Sequence, residues 1–131
     1  MTQAPIKVLL VEDNDIFRES LVLLFDAFAP DLDVVAAVAD GRSAIEACAG
    51  QDPDVVLMDY RLPELDGVET TAAIRDVRPG AAVVVLSAEA GSGEIEALEA
   101  AGAVSFLTKD CELEQIVEAV RDAARNGASL G

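Results

Sequence analysis

The 131-residue chain has no histidine, no tryptophan, two cysteines, and only nine basic residues against twenty-five acidic ones. Each shortage excludes something. Without histidine there is no Ser-His or Cys-His catalysis and no histidine-ligated zinc. Cys48 and Cys111 are far apart in sequence and match no metal-ligand spacing, so they read as small hydrophobes. The scarcity of basic residues leaves a net charge of −16, which repels phosphate backbones. This chain itself is therefore not expected to bind DNA or RNA. Residues 1–5, Met-Thr-Gln-Ala-Pro, lack the charged and apolar regions of a secretory signal, and no apolar run approaches a membrane span. The expectation is a reduced, soluble, cytoplasmic protein with no membrane partner.

What is present suits one folded unit. The length fits a single domain, and 52% hydrophobic residues can build a core despite the charge. The expected domain covers 1–131, with its core at about 5–125 and a tail at 126–131 that frays or begins a linker. Runs rich in Val, Leu and Ile recur at 6–11, 34–38, 55–58, 82–86 and 104–107, each the length of a buried strand. Between them the apolar spacing is helical: Phe17, Leu21, Leu24 and Phe28; Ile45, Cys48 and Ala49; Val68, Thr71, Ala72 and Arg75; Ile95 and Leu98; Leu113, Ile116, Val117 and Val120. All five prolines fall between these segments, Gly102 and Gly127 stand where helices stop, and Ser43 and Asp66 sit near helix starts as candidate caps. Regular alternation of strand and helix predicts an α/β, doubly wound, five-stranded parallel sheet with helices on both faces.

In such a sheet ligands bind beyond the carboxyl ends of the strands. The first run ends in Glu12 and Asp13, the third in Asp59, the fourth in Ser87, and the fifth in Thr108 and Lys109. One rim thus carries three carboxylates, a hydroxyl and an ammonium. Crowded carboxylates raise one another's pKa, and octahedral Mg²⁺ relieves the repulsion. A carboxylate beside a metal and a lysine can accept a phosphoryl group, whose equatorial oxygens need donors in the transition state. Lys109 is one of only two lysines, against seven arginines, and its compact ammonium suits a point contact to one oxygen.

These residues lie in four segments: VLLVEDN at 8–14, DVVLMDYRLPELDG at 54–67, VVVLS at 83–87 and AGAVSFLTK at 101–109. In this order the chain resembles the receiver domain of two-component response regulators, with a NarL/FixJ-type character. The resemblance implies a flavodoxin-like, CheY-like sheet of order 2-1-3-4-5 with five helices. It implies Asp59 as phosphoacceptor, and Glu12, Asp13, Asp59 and the backbone carbonyl of Arg61 as Mg²⁺ ligands. It further implies Lys109 as the phosphate-sensing lysine, Ser87 as the switch hydroxyl, and Phe106 in the aromatic switch position. Three departures stand out. Glu12 replaces the usual aspartate, Asp110 follows Lys109 where many members have proline, and Phe106 lacks the tyrosine hydroxyl of chemotaxis regulators.

The implied activity is that of a signalling phosphoprotein, not an enzyme, although it assists its own phosphoryl transfer and the slow hydrolysis of the aspartyl phosphate. Its partners would be a histidine kinase or phosphotransfer protein, with a homodimer possible on phosphorylation. Switching of the α4-β5-α5 surface would control an output, transcription if a DNA-binding domain follows. A stand-alone regulator and a phosphorylation-independent pseudo-receiver are the alternatives. An aspartate-nucleophile phosphatase would need an acid two residues after Asp59, where Arg61 stands. Several residues keep two readings. Phe106 is a switch or simple packing, and Ser87 a switch or a loop cap. Arg61 and Glu89 pair across the site mouth or are two solvated rim charges. Asp15 is read as a first-turn acid favourable to the helix dipole, not a fourth ligand.

Overall fold

The computed structural model describes residues 4–88 and 92–127. Five strands alternate with five helices: β1 (Ile6–Val11), α1 (Asp15–Phe28), β2 (Leu32–Val38), α2 (Gly41–Gln51), β3 (Val55–Asp59), α3 (Gly67–Val77), β4 (Ala82–Ser87), α4 (Ser92–Ala101), β5 (Ala103–Thr108) and α5 (Leu113–Asp122). All strand pairs are parallel, in the order β2-β1-β3-β4-β5. This is the expected doubly wound sheet. The chain starts in the middle of the sheet, builds one neighbour, and then returns past β1 to build the others. With right-handed crossovers, that reversal sends α1 and α5 to one face and α2, α3 and α4 to the other.

Period-two alternation along the strands divides the core in two. Val8, Leu10, Val55, Leu57, Val84 and Leu86 pack under α1 and α5 against Leu21, Phe25, Ile116 and Val120. Leu9, Val11, Val56, Met58, Val83 and Val85 pack on the opposite face against Ala44, Cys48, Ile74 and Leu98. Because both faces are covered, the central strands need no polar alternation, and every residue of β3 and β4 is buried.

Within the helices the apolar spacing named some wrong residues. Leu21 and Phe25 form the buried face of α1, while Leu24 and Phe28 are exposed, Phe28 at 71%. In α2 the buried residues include Ala44 and Cys48 and not Ala49, and in α3 Ile74 and Thr71 are buried while Ala72 faces solvent. The helix starts also differ in detail. Asp66 caps α3 as expected, in a reciprocal box with Glu69. Ser43 is no cap: the cap of α2 is Asp40, whose side chain accepts the Ser43 N–H at 2.7 Å. Gly102 ends α4 with φ of 116°, a left-handed conformation that favours glycine. Residues 123–127 continue α5 as a π-helical turn, so the chain stays helical past 125; residues 128–131 of the expected tail lie outside the described residues.

Two predictions concern this scaffold. A Cβ on Gly41 would stand 2.3 Å from the Thr70 hydroxyl oxygen and 3.1 Å from the Leu65 Cβ, where α2 packs on α3. Gly41→Ala is expected to cost about 1–3 kcal/mol in urea unfolding, with part of the loss recovered when Thr70→Ala is added. Cys48 is buried in the core, and that burial pushes its thiol up to about 11. In the native protein at pH 8 it should resist a thiol reagent that modifies the half-buried Cys111 first, and both should react after unfolding. Equal native rates would contradict the burial.

Candidate functional site

The carboxyl ends of β1, β3, β4 and β5 converge because parallel strands in register finish together. Asp59 is the last residue of β3 and lies opposite Leu86, while Ser87 ends β4 opposite Thr108. The loops beyond are stitched to the neighbouring strands: Tyr60 N donates to Leu86 O at 2.8 Å, Lys109 N to Ser87 O at 2.8 Å, and Glu12 N to Val38 O at 2.9 Å. Gly67 N donates back to Tyr60 O at 2.9 Å, closing the loop after Asp59 at the start of α3. Backbone hydrogen bonds therefore set the positions of Glu12, Asp59 and Lys109 on a rigid rim.

Glu12 is 1% exposed and Asp59 5%, both rare degrees of burial for an acid. Lys109 bridges them: its Nζ lies 2.7 Å from Glu12 Oε1 and 3.1 Å from Asp59 Oδ2. The remaining oxygens are also engaged. Glu12 Oε2 accepts the Asn14 N–H at 2.9 Å, and Asp59 Oδ1 accepts the Arg61 N–H at 3.3 Å. Asp13 projects into solvent beside this buried pair, and one oxygen from each of Glu12, Asp13 and Asp59 lies within 4.8 Å of the others.

The electrostatics follow from burial. Desolvation raises the Glu12 pKa above its ordinary value, outweighing the Lys109 and Asn14 hydrogen bonds, and repulsion from Asp59 adds a smaller push. Crowding of carboxylates is thus a minor cause, and burial is the principal one. Desolvation pulls Lys109 down, but its hydrogen bonds and attractions to Glu12 and Asp59 more than compensate, so its pKa is raised and it stays an ammonium. Three hard oxygen donors, two fixed by the scaffold and one open to water, fit Mg²⁺ with part of its hydration shell retained. The ammonium already between two of them shows that the pocket holds positive charge.

The other expected residues divide. Ser87 is buried at the rim, beside a cavity of about 150 Å³ lined by Tyr60, Ile95, Leu98 and Phe106 among others. Phe106 is half-buried against the α2/α3/α4 side of the core. The Arg61 side chain is exposed, and its described link to the site is its backbone N–H. Glu89 lies outside the described residues. Asp15 stands at the first position of α1 and pairs with Arg18 at 2.6 Å, outside the acidic cluster.

Sequence reasoning missed Asn14 and Arg18. Asn14 caps α1 through its side chain while its backbone N–H holds Glu12. Arg18 Nη1 donates to the Glu12 carbonyl at 2.7 Å, binding the acidic turn to the first turn of α1. Asn14 directly before a helical run was a readable cap signal. The reach of Arg18 back across the turn had no sequence signal.

The family model for the response regulator receiver domain matches residues 8–121. The chain is similar to the transcriptional regulatory protein LnrK of Bacillus subtilis (strain 168), 39% identical over 126 residues that cover 95% of this chain and 56% of that protein. It is also similar to the nitrate/nitrite response regulator protein NarL of Escherichia coli (strain K12), 31% identical over 93% of this chain and 56% of that one. Among solved structures it superposes on the signal receiver domain of the putative response regulator NarL from Mycobacterium tuberculosis with a TM-score of 0.89 and 32% identity, covering 95% of this chain and 99% of the other. The chain spans about half the length of the curated relatives it matches.

Proposed function

This chain belongs to the response regulator receiver domain family, and from that membership we propose that Asp59 is its phosphoacceptor, served by Lys109, Ser87 and an acidic pair. The observation that carries the proposal is the Lys109 ammonium shared between Glu12 and Asp59 at the sheet's carboxyl rim. Asp59 is fixed at a strand end, so one carboxylate oxygen can meet a phosphorus in line with its leaving group. The donor would be the phosphohistidine of a histidine kinase or phosphotransfer protein. The histidine nitrogen–phosphorus bond breaks as the Asp59 oxygen–phosphorus bond forms, giving an acyl phosphate and neutral imidazole once a proton returns to the ring.

Lys109 follows the charge outward from the Asp59 carboxylate to a phosphoryl oxygen, and Ser87 and the Arg61 N–H serve as further donors. Glu12, Asp13, Asp59 and the Arg61 carbonyl would hold Mg²⁺, which when bound neutralises phosphoryl charge at the rim. Ser87 moving toward the new oxygens frees room beside the cavity that Phe106 lines, so Phe106 can turn inward and repack the α4-β5-α5 surface. This is a population shift between two packings, in which Phe106 contributes shape and not a hydrogen bond. Arg61 and Glu89 would tune water access at the mouth. Hydrolysis of the acyl phosphate, slow and assisted by the same groups, resets the domain.

The longer relatives include named transcriptional regulatory proteins, so transcription is the proposed output, in the cytoplasm, with dimerisation on phosphorylation as its means. Among the described residues no helix is long and apolar enough to cross a membrane. Beryllofluoride with Mg²⁺, which mimics the acyl phosphate, tests the site and switch together by amide NMR. Shifts at Asp59, Ser87, Lys109 and Phe106 that vanish in Asp59→Asn are expected. No shifts, or the same shifts in Asp59→Asn, would favour a phosphorylation-independent interaction module.

A further inference from the structure

The Lys109 ammonium has a third neighbour besides its two carboxylates. Its Nζ lies 4.9 Å from the centroid of the Phe17 ring, over the ring face. Phe17 stands in the first turns of α1, half-buried, one residue before the Arg18 that grips the Glu12 carbonyl. The face of an aromatic ring is the negative end of its quadrupole, and a cation over it is attracted most where water is partly excluded. Lys109 meets that condition, since its side chain is three-quarters buried. A lysine stem has many rotamers and its ammonium no preferred direction. Two carboxylates alone would let it follow whichever charge moved last, whereas a ring on the remaining side limits where the ammonium can sit.

We propose that Phe17 is a positioning residue for phosphoryl transfer, acting through a cation–π contact that holds the Lys109 ammonium at the rim beside Asp59. This deepens the phosphoacceptor reading above and rests on it. The ring touches neither the phosphoryl group nor Asp59 in this role. It keeps Lys109 within reach while the negative charge moves from the Asp59 carboxylate to the phosphoryl oxygens. The start of α1 would then serve the site through its cap and first turn: Asn14 and Arg18 orient Glu12, and Phe17 orients Lys109.

The test uses the full 131-residue chain with acetyl phosphate and Mg²⁺, followed by intact mass. In this reaction the phosphorus–oxygen bond to acetate breaks, acetate leaves with its electron pair, and an Asp59 oxygen takes its place on phosphorus. Phe17→Leu keeps an apolar side chain of similar bulk and removes the π face. It is expected to slow phosphorylation about three- to tenfold, while Phe17→Trp restores most of the rate. In NMR spectra of the unphosphorylated protein, the Lys109 ε-methylene protons should carry an upfield ring-current shift that is lost in Phe17→Leu and kept in Phe17→Trp. This second measurement needs no reaction. A Leu variant that reacts as fast as wild type, or a Trp variant as slow as Leu, overturns the inference and leaves the phosphoacceptor reading intact. A wild-type chain that takes no phosphoryl group overturns the underlying reading, and the inference with it.

Discussion

Lys109→Ala is expected to lower the rate of Asp59 phosphorylation by about a hundred- to a thousandfold, the usual loss when one fixed donor to developing transition-state charge is removed. The same change should be felt in stability, because it strips the cation from two buried carboxylates. Glu12 Oε1 keeps no other partner among the described residues. Truncating one member of a buried ion pair costs about 3–5 kcal/mol, and the partial exposure of Lys109 places this case at or below the lower end of that range. The pH dependence has a definite sign. Glu12 already has a raised pKa from its burial. Without Lys109, folded Glu12 binds its proton still more tightly than the unfolded chain does. The deficit of the variant should therefore be largest where Glu12 is ionised and shrink as pH falls through the raised pKa toward the ordinary carboxylate range. Urea unfolding of both proteins at pH 7 and pH 5 checks this. A deficit that grows on acidification would show that the lost stability has another source.

Phe25→Ala is expected to cost about 3–5 kcal/mol, a large share of the total stability of a domain of this size. Phe25 is fully buried between α1 and the sheet, touching the layer formed by Leu21 and the α5 residues. Phe28→Ala, three residues on and 71% exposed, should change urea unfolding by less than about 0.5 kcal/mol. Equal losses at the two positions would contradict the rotation of α1 described here.

That pair of phenylalanines also marks where the sequence stops speaking. The apolar stripe of α1 is wide, and helical spacing fits Phe17, Leu21, Leu24 and Phe28 as readily as a set that includes Phe25. Which part of a wide stripe turns inward depends on the helix's roll, set here by the Asn14 cap, by the Arg18 bond to the Glu12 carbonyl and by α5 alongside. Those are tertiary facts, and no periodicity contains them. The strands were more legible, since buried β-rich runs bounded by proline, glycine and acids admit few other readings. The first predicted run matches β1, the second starts two residues after β2 does, and the last three stop one residue short of the observed strands, whose pairing continues into the rim residues Asp59, Ser87 and Thr108.

The site itself was visible as a set of polar residues at strand ends. Its internal hierarchy was not. Sequence reading sets Asp59 apart as the expected phosphoacceptor but does not rank Glu12, Asp13 and Asp59 by burial or by contact with Lys109. The structure buries Glu12 and Asp59 under one shared lysine and leaves Asp13 in water. Ser43 shows the same limit on a smaller scale. Asp40 and Ser43 are both plausible caps three residues apart, and only the extended backbone at Asp40 decides between them.

Acetyl phosphate and Mg²⁺, followed by mass spectrometry of the intact chain and of its peptides, test the phosphoacceptor assignment most directly. One phosphoryl group per wild-type chain is expected, on the peptide that contains Asp59, lost when Mg²⁺ is chelated beforehand and absent in Asp59→Asn. Incorporation at another carboxylate in wild type, or undiminished incorporation in Asp59→Asn, would contradict it.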